Sequence, residues 1–184
     1  MNQPPTGTVA SVNVDGDHRF SKTPTAGARL LAGLGVEGDA HSGSTVRHRS
    51  RVRADPTQPN LRQVHLIGAE MFEALAAAGF AVGPGDLGEN LTTSGIDLHD
   101  LPVGSVLRIG DGALVALTGL RNPCGQIEGF RTGLLDHVRS RDASGAVVRR
   151  AGVMGVVVHG GTVRAGDRIE VALPPGPHVP LERI

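Results

Sequence analysis

Val103-Gly104-Ser105-Val106-Leu107-Arg108-Ile109 has a counterpart at Ala165-Gly166-Asp167-Arg168-Ile169-Glu170-Val171. Each places a glycine turn ahead of a strand-like run, as small barrels do where strands bend round a corner. Other strand-like runs, bounded by glycines, lie at 7–14, 64–68, 114–118 and 153–158, while 17–43 reads as mostly loop. Helical character is confined to 69–78, rich in helix formers and stopped by Gly79, and to a second helix within 126–141. Strands outnumber helices and do not alternate with them. The pattern therefore predicts a mainly β protein, an antiparallel β-barrel with two or three peripheral helices, in preference to a doubly wound sheet.

The chain has 184 residues, enough for one domain with a real core, which we place at 7–173 with 174–184 as a Pro-rich extension. Lys plus Arg and Asp plus Glu both total 18, so no global field recruits nucleic acid or membrane. The aromatic residues are four Phe with no Trp or Tyr, which removes the ring platform that stacks single-stranded bases. A single cysteine, Cys124, excludes an internal disulfide framework and any Cys-rich metal cluster. The first residues, Met1-Asn2-Gln3-Pro4-Pro5, read as neither signal peptide nor membrane span, so a cytoplasmic location is expected. Lys22 is the only lysine and sits in a loop-like segment, which argues against pyridoxal phosphate chemistry.

Three constellations could carry chemistry. In Gly119-Leu120-Arg121-Asn122-Pro123-Cys124-Gly125 the thiol follows a strand and an arginine stands three residues before it, surroundings that favour thiolate. Packing as a small buried hydrophobe is the plainer fate of a lone cysteine. In Gly33-Leu34-Gly35-Val36-Glu37-Gly38-Asp39-Ala40-His41-Ser42-Gly43 a turn carries Asp39 and His41, and Arg47, Arg49, Arg51 and Arg53 follow. If 46–53 is extended, those arginines form an anion-binding rib on one face; a charged, solvated edge strand is the alternative. His48 and His65 do not complete a zinc spacing with His41. In Gly83-Pro84-Gly85-Asp86-Leu87-Gly88-Glu89-Asn90-Leu91-Thr92 glycines allow close approach to a ligand, with Glu89 and Asn90 able to fix a polar heterocycle, unless this is only a hairpin turn satisfying its own backbone. No Walker loop, dinucleotide fingerprint, nucleophile elbow or HExxH is present.

Taken in order, Gly35-Val36-Glu37-Gly38-Asp39-Ala40-His41-Ser42-Gly43, Gly88-Glu89-Asn90-Leu91 and Arg121-Asn122-Pro123-Cys124, with a late Gly160-Gly161-Thr162-Val163-Arg164-Ala165-Gly166-Asp167, resemble the MOSC domain, named for the C-terminal region of molybdenum cofactor sulfurases. The resemblance runs from about residue 7 to 171 and implies a β-barrel holding a molybdopterin-type cofactor. It implies Cys124 as sulfur carrier or molybdenum ligand, Arg121 with Arg47 and Arg49 toward the cofactor's anionic part, and Gly88, Glu89, Asn90, Asn122, Asp39 and His41 toward binding it or shaping its pocket. The family's first glycine after the motif histidine is Ser42 in this chain. With one thiol, sulfur or electron traffic needs a donor protein. The resemblance thus implies either reduction of a small N-hydroxylated or N-oxide substrate at molybdenum, or a carrier of persulfide sulfur or cofactor.

Overall fold

The two glycine-led runs become adjacent antiparallel strands, with Ile169 opposite Ile109 and Val171 opposite Leu107. Gly104 (φ 83°) and Gly166 (φ 93°) adopt the left-handed backbone that turns each chain into its strand. Leu107, Ile109, Ile169 and Val171 alternate inward and are buried, while Arg108, Arg168 and Glu170 alternate outward.

The computed structural model describes residues 5–184. In chain order the elements are β1 (Thr6–Val14), β2 (Thr23–Thr25), β3 (Ala28–Leu31), β4 (Gly35–Val36), α1 (Arg49–Ala54), β5 (Val64–Gly68), α2 (Ala69–Ala77), β6 (Leu91–Ser94), β7 (Val106–Ile109), β8 (Ala113–Leu120), α3 (Gly125–Phe130), α4 (Leu134–Val138), β9 (Arg139–Arg141), β10 (Val147–Arg149), β11 (Val153–His159), β12 (Gly161–Val163) and β13 (Arg168–Ala172). Strands β13-β7-β8-β11-β5-β6-β1 form one sheet that closes through a β13–β1 pairing, a seven-stranded barrel with β2 hung on the far half of β1. Strand β1 is the seam, since Thr6–Thr8 pairs with β13 and Thr8–Val12 with β6.

The barrel is mainly antiparallel as expected, with one exception that corrects the sequence reading: β5 and β6 are parallel. The cause is α2, which carries the chain across the outside of the barrel so that β6 re-enters in the direction of β5. Among the described residues there are four short helices where two or three were expected. The helix anticipated within 126–141 is split at Gly133 into α3 and α4, and its end is the strand β9. The proposed extended arginine rib at 46–53 is instead largely helix α1.

Two apolar clusters follow from this layout. The barrel interior is filled by residues such as Val12, Leu66, Leu91, Leu107, Val115 and Val153. A second cluster, including Ile67, Leu75, Leu87, Ile127 and Leu134, lies beneath α2, α3 and α4. The Pro-rich extension folds back on the barrel: Leu181 is buried, and the Leu120 amide donates to the Glu182 carbonyl at 2.7 Å. Among the described residues no helix is long and apolar enough to cross a membrane.

Candidate functional site

The end of β1, the start of β6, the end of β8 and the start of β11 share one rim of the barrel, because β6 and β11 run antiparallel to β1 and β8. Each of the three constellations lies at this rim. Their shared anchor is Asp39. Its carboxylate accepts from the Lys22 ammonium, from Asn90 Nδ2 at 2.9 Å, from the His41 amide at 2.9 Å and from the Asp15 amide at 3.4 Å. Burial alone would raise its pKa, but the hydrogen bonds from His41 and the ammonium of Lys22 outweigh that and hold it well below the usual carboxylate range. Asp39 thus ties four separate segments together from beneath the site. It is buried and does not itself line the cleft above.

Asn90 performs a second fastening. Its amide N–H donates to the His65 carbonyl at 2.8 Å and its Oδ1 accepts from the His65 amide at 3.2 Å, which fixes the entry of the parallel β5–β6 pair. His65 is buried with Nε2 2.8 Å from the Ala151 carbonyl, so that nitrogen carries the proton. Burial, with the charge of Arg121, pushes His65 far below its ordinary pKa and keeps it neutral. Glu89 faces the interior and is fully buried. Its Oε1 accepts from the Gly85 amide at 2.5 Å and from the Thr92 hydroxyl at 2.9 Å, while Oε2 has no partner. Asp86 does satisfy its own turn, taking the Gly83 amide at 2.9 Å, but Asn90 does not.

Burial raises the Glu89 pKa despite the hydrogen bonds it receives. A carboxyl whose folded pKa is raised favours folding most below its unfolded value, and that contribution declines as pH rises through the folded value. Glu89→Gln keeps an acceptor for Gly85 and Thr92 and removes this titration. In paired urea titrations the stability difference should therefore shift in the variant's favour from pH 4.5 to pH 7; a pH-independent difference would refute the assignment.

Above this floor lies a cleft of about 320 Å³ whose lining includes Cys124, Asn122, Arg121, Gly88, Asn90 and His41. Cys124 directly precedes α3 and is half-buried, with Sγ 3.6 Å from Gln126 Oε1. Arg121 is pinned: Nη1 donates to the Leu87 carbonyl at 2.6 Å and the guanidinium carbon sits 5.6 Å from the Phe20 ring centroid. Arg47 and Arg49 also line the cleft. The rings of His41 and His48 stack at the wall with centroids 6.1 Å apart, and burial beside His41 and several arginines depresses the His48 pKa. Among the described residues no group of three or more His, Cys, Asp or Glu converges as a metal cage.

Arg62 is the contributor that sequence reading missed. It lines the cleft, its Nη2 is buried without a partner, and burial together with Arg51, Arg121 and Arg183 pushes its pKa down to about 10. It belongs to no motif, and only the turn through Asn60 brings it to the site: Asn60 Oδ1 accepts the Arg62 amide at 3.0 Å, and Nδ2 donates to the Gly43 carbonyl at 3.0 Å. Lys22 lies in the loop ahead of β2, as expected, and its ion pair makes it part of the floor.

Comparison with known proteins agrees with the geometry. The YuaD protein from Bacillus subtilis superposes with a TM-score of 0.75 at 25% identity, covering 93% of this chain and 98% of its own. YiiM from Geobacillus stearothermophilus shares the fold with a TM-score of 0.62 at 17% identity over 96% of this chain and 80% of its own. For YiiM from Escherichia coli the values are 0.60 and 20% over 97% and 74%. No curated protein matches the sequence. The family model for the MOSC domain matches residues 38–170, spanning Asp39, Asn90 and Cys124 alike, and the chain therefore belongs to the MOSC domain family.

Proposed function

We propose that the cleft binds a molybdenum cofactor with Cys124 as the protein's ligand to the metal, and that the protein reduces a small N-hydroxylated or N-oxide compound there. The observation that carries this reading is the donor set. One thiol borders a cleft walled by arginines: a thiolate suits molybdenum, and the cations suit an anionic group that carries it. The unpartnered Arg62 Nη2 and the pinned Arg121 supply donors for the anionic part of such a group. Asn90 and Gly88 present the floor, and MOSC domains are in general associated with this cofactor.

Bound there, the cofactor supplies oxygen-atom transfer, so that R–NHOH, two electrons and two protons yield R–NH2 and water. The residues of this chain hold and orient. Lys22–Asp39–Asn90 fixes the floor, Arg121 fixes the strand end that presents the thiol, and an external electron donor protein provides the reducing equivalents.

The test is elemental and intact-mass analysis of protein purified from a host that makes the cofactor. Near-stoichiometric molybdenum that is reduced at least roughly tenfold in Cys124→Ser is the expected result, since losing a thiolate–metal bond costs well over 1.4 kcal/mol. Absence of molybdenum together with one added sulfur on Cys124 would replace the reductase by a persulfide carrier.

A further inference from the structure

Seven arginines line the cleft and, among the described residues, no aspartate or glutamate does. Helix α1 sorts part of this array. Arg49 and Arg53 are four residues apart and share a helix face, whereas Arg51 lies about 200° round from Arg49. Arg51 is half-buried and its charge is among those that depress the Arg62 pKa, while Arg47, Arg49 and Arg53 are exposed. Arg47 is nonetheless placed: a Cβ on Gly43 would collide with its guanidinium, and its carbonyl faces His18 Nε2 at 3.3 Å.

The stability of α1 does not explain these residues. Like charges at i,i+4 cost about 0.2–0.5 kcal/mol. The helix has no side-chain cap, no acidic residue in its first turn and no buried residue. Among the described residues no carboxylate lies within salt-bridge distance of Arg47, Arg49 or Arg53. Arg62, Arg51 and Arg121, the less exposed arginines of the lining, carry charge enough for one phosphate.

The geometry points to two anion subsites in one cleft: an inner one on Arg62, Arg51 and Arg121, and an outer one on Arg47, Arg49 and Arg53 that takes a second phosphate-type anion. This deepens the proposed function, on which it rests only in giving the inner subsite to the cofactor. The second anion has two chemical sources, a phosphate ester on the substrate or the second phosphate of a nucleotide form of the cofactor.

Titration of the cofactor-free protein with inorganic phosphate, followed by amide NMR shifts, tests the inference. Two separable sets of shifts are expected, one around Arg62 and residues 121–124 and one across residues 47–53. Arg49→Ala/Arg53→Ala should weaken the second set at least roughly tenfold and leave the first, and Arg62→Ala should do the reverse. A single set, or a second set that survives Arg49→Ala/Arg53→Ala, overturns the inference. The titration needs no molybdenum, so it stands or falls apart from the cofactor reading. In cofactor-loaded protein, a phosphorus-to-molybdenum ratio near one assigns the second anion to the substrate, and a ratio near two assigns it to the cofactor.

Discussion

Asp39→Ala should lower the stability of this protein by about 3–5 kcal/mol, the usual cost of leaving one member of a buried ion pair behind. The Lys22 and Asp39 side chains are 4% and 2% exposed, so the ammonium would remain with almost no water to receive it. The same substitution also strips acceptors from Asn90 Nδ2 and from the His41 amide. For a chain of this size roughly 2–4 °C of Tm accompanies each kcal/mol, so thermal unfolding should fall by about 6–20 °C. Lys22→Met/Asp39→Asn removes both charges and keeps one acceptor, and it should recover at least half of the loss. Because the folded pKa of Asp39 is depressed, its contribution is complete above the ordinary carboxylate value of about 3.9 and is lost as pH falls through the folded value. The wild type should therefore lose its advantage over Asp39→Asn in acid. A fall in Tm of only a degree or two for Asp39→Ala would show that the pair does not hold the four segments together.

The second large effect is expected at Gly85. Its φ of 86° lies in the left-handed region, which costs a residue with a Cβ about 1–2 kcal/mol. A Cβ there would also collide with the Lys22 carbonyl, in a stretch where the Lys22 amide already donates to the Gly85 carbonyl at 2.8 Å. Overpacking against backbone adds roughly 1–3 kcal/mol. Gly85→Ala should thus destabilise by several kcal/mol in denaturant titration. Gly112→Ala is the control, for a Cβ at that turn meets nothing within 4 Å, and it should change stability little. Equal effects at the two positions would sink this account.

Local pattern made the barrel legible wherever a strand alternates buried and exposed residues, as in β7, β8 and β13. Strand β6 was not legible because Leu91-Thr92-Thr93-Ser94 buries hydroxyls: Thr92 and Thr93 are fully buried in a run that reads as polar. Its parallel pairing with β5 depends on where α2 delivers the chain, which no local pattern encodes. The short β3, β4 and β12 form a separate sheet too brief for period-two alternation to register. At the site, Cys124, Arg121 and Asn122 share one loop, so local sequence groups them, and all three line the cleft. The structure divides the other candidates in a way no local pattern encodes: His41 and Asn90 reach the lining of the cleft, whereas Asp39 and Glu89 are buried and do not line it. The arginines do not form an extended rib, because from Arg49 the chain is helical and every second residue lies about 200° round, where a strand would keep it on one face; all four still line the cleft.

The seam between β1 and β13 sets the order in which this protein can form. Thr8 pairs with Arg168, about 160 residues along the chain, so the sheet cannot close until nearly all of it has left the ribosome. Pairings of such long sequence separation make folding slow. Until then β1 and β7 both offer unpaired edges, the geometry that invites strand exchange between nascent copies. A chain cut short before β13 would carry every side chain of the cleft and still present two open edges, which makes aggregation its foreseeable fate.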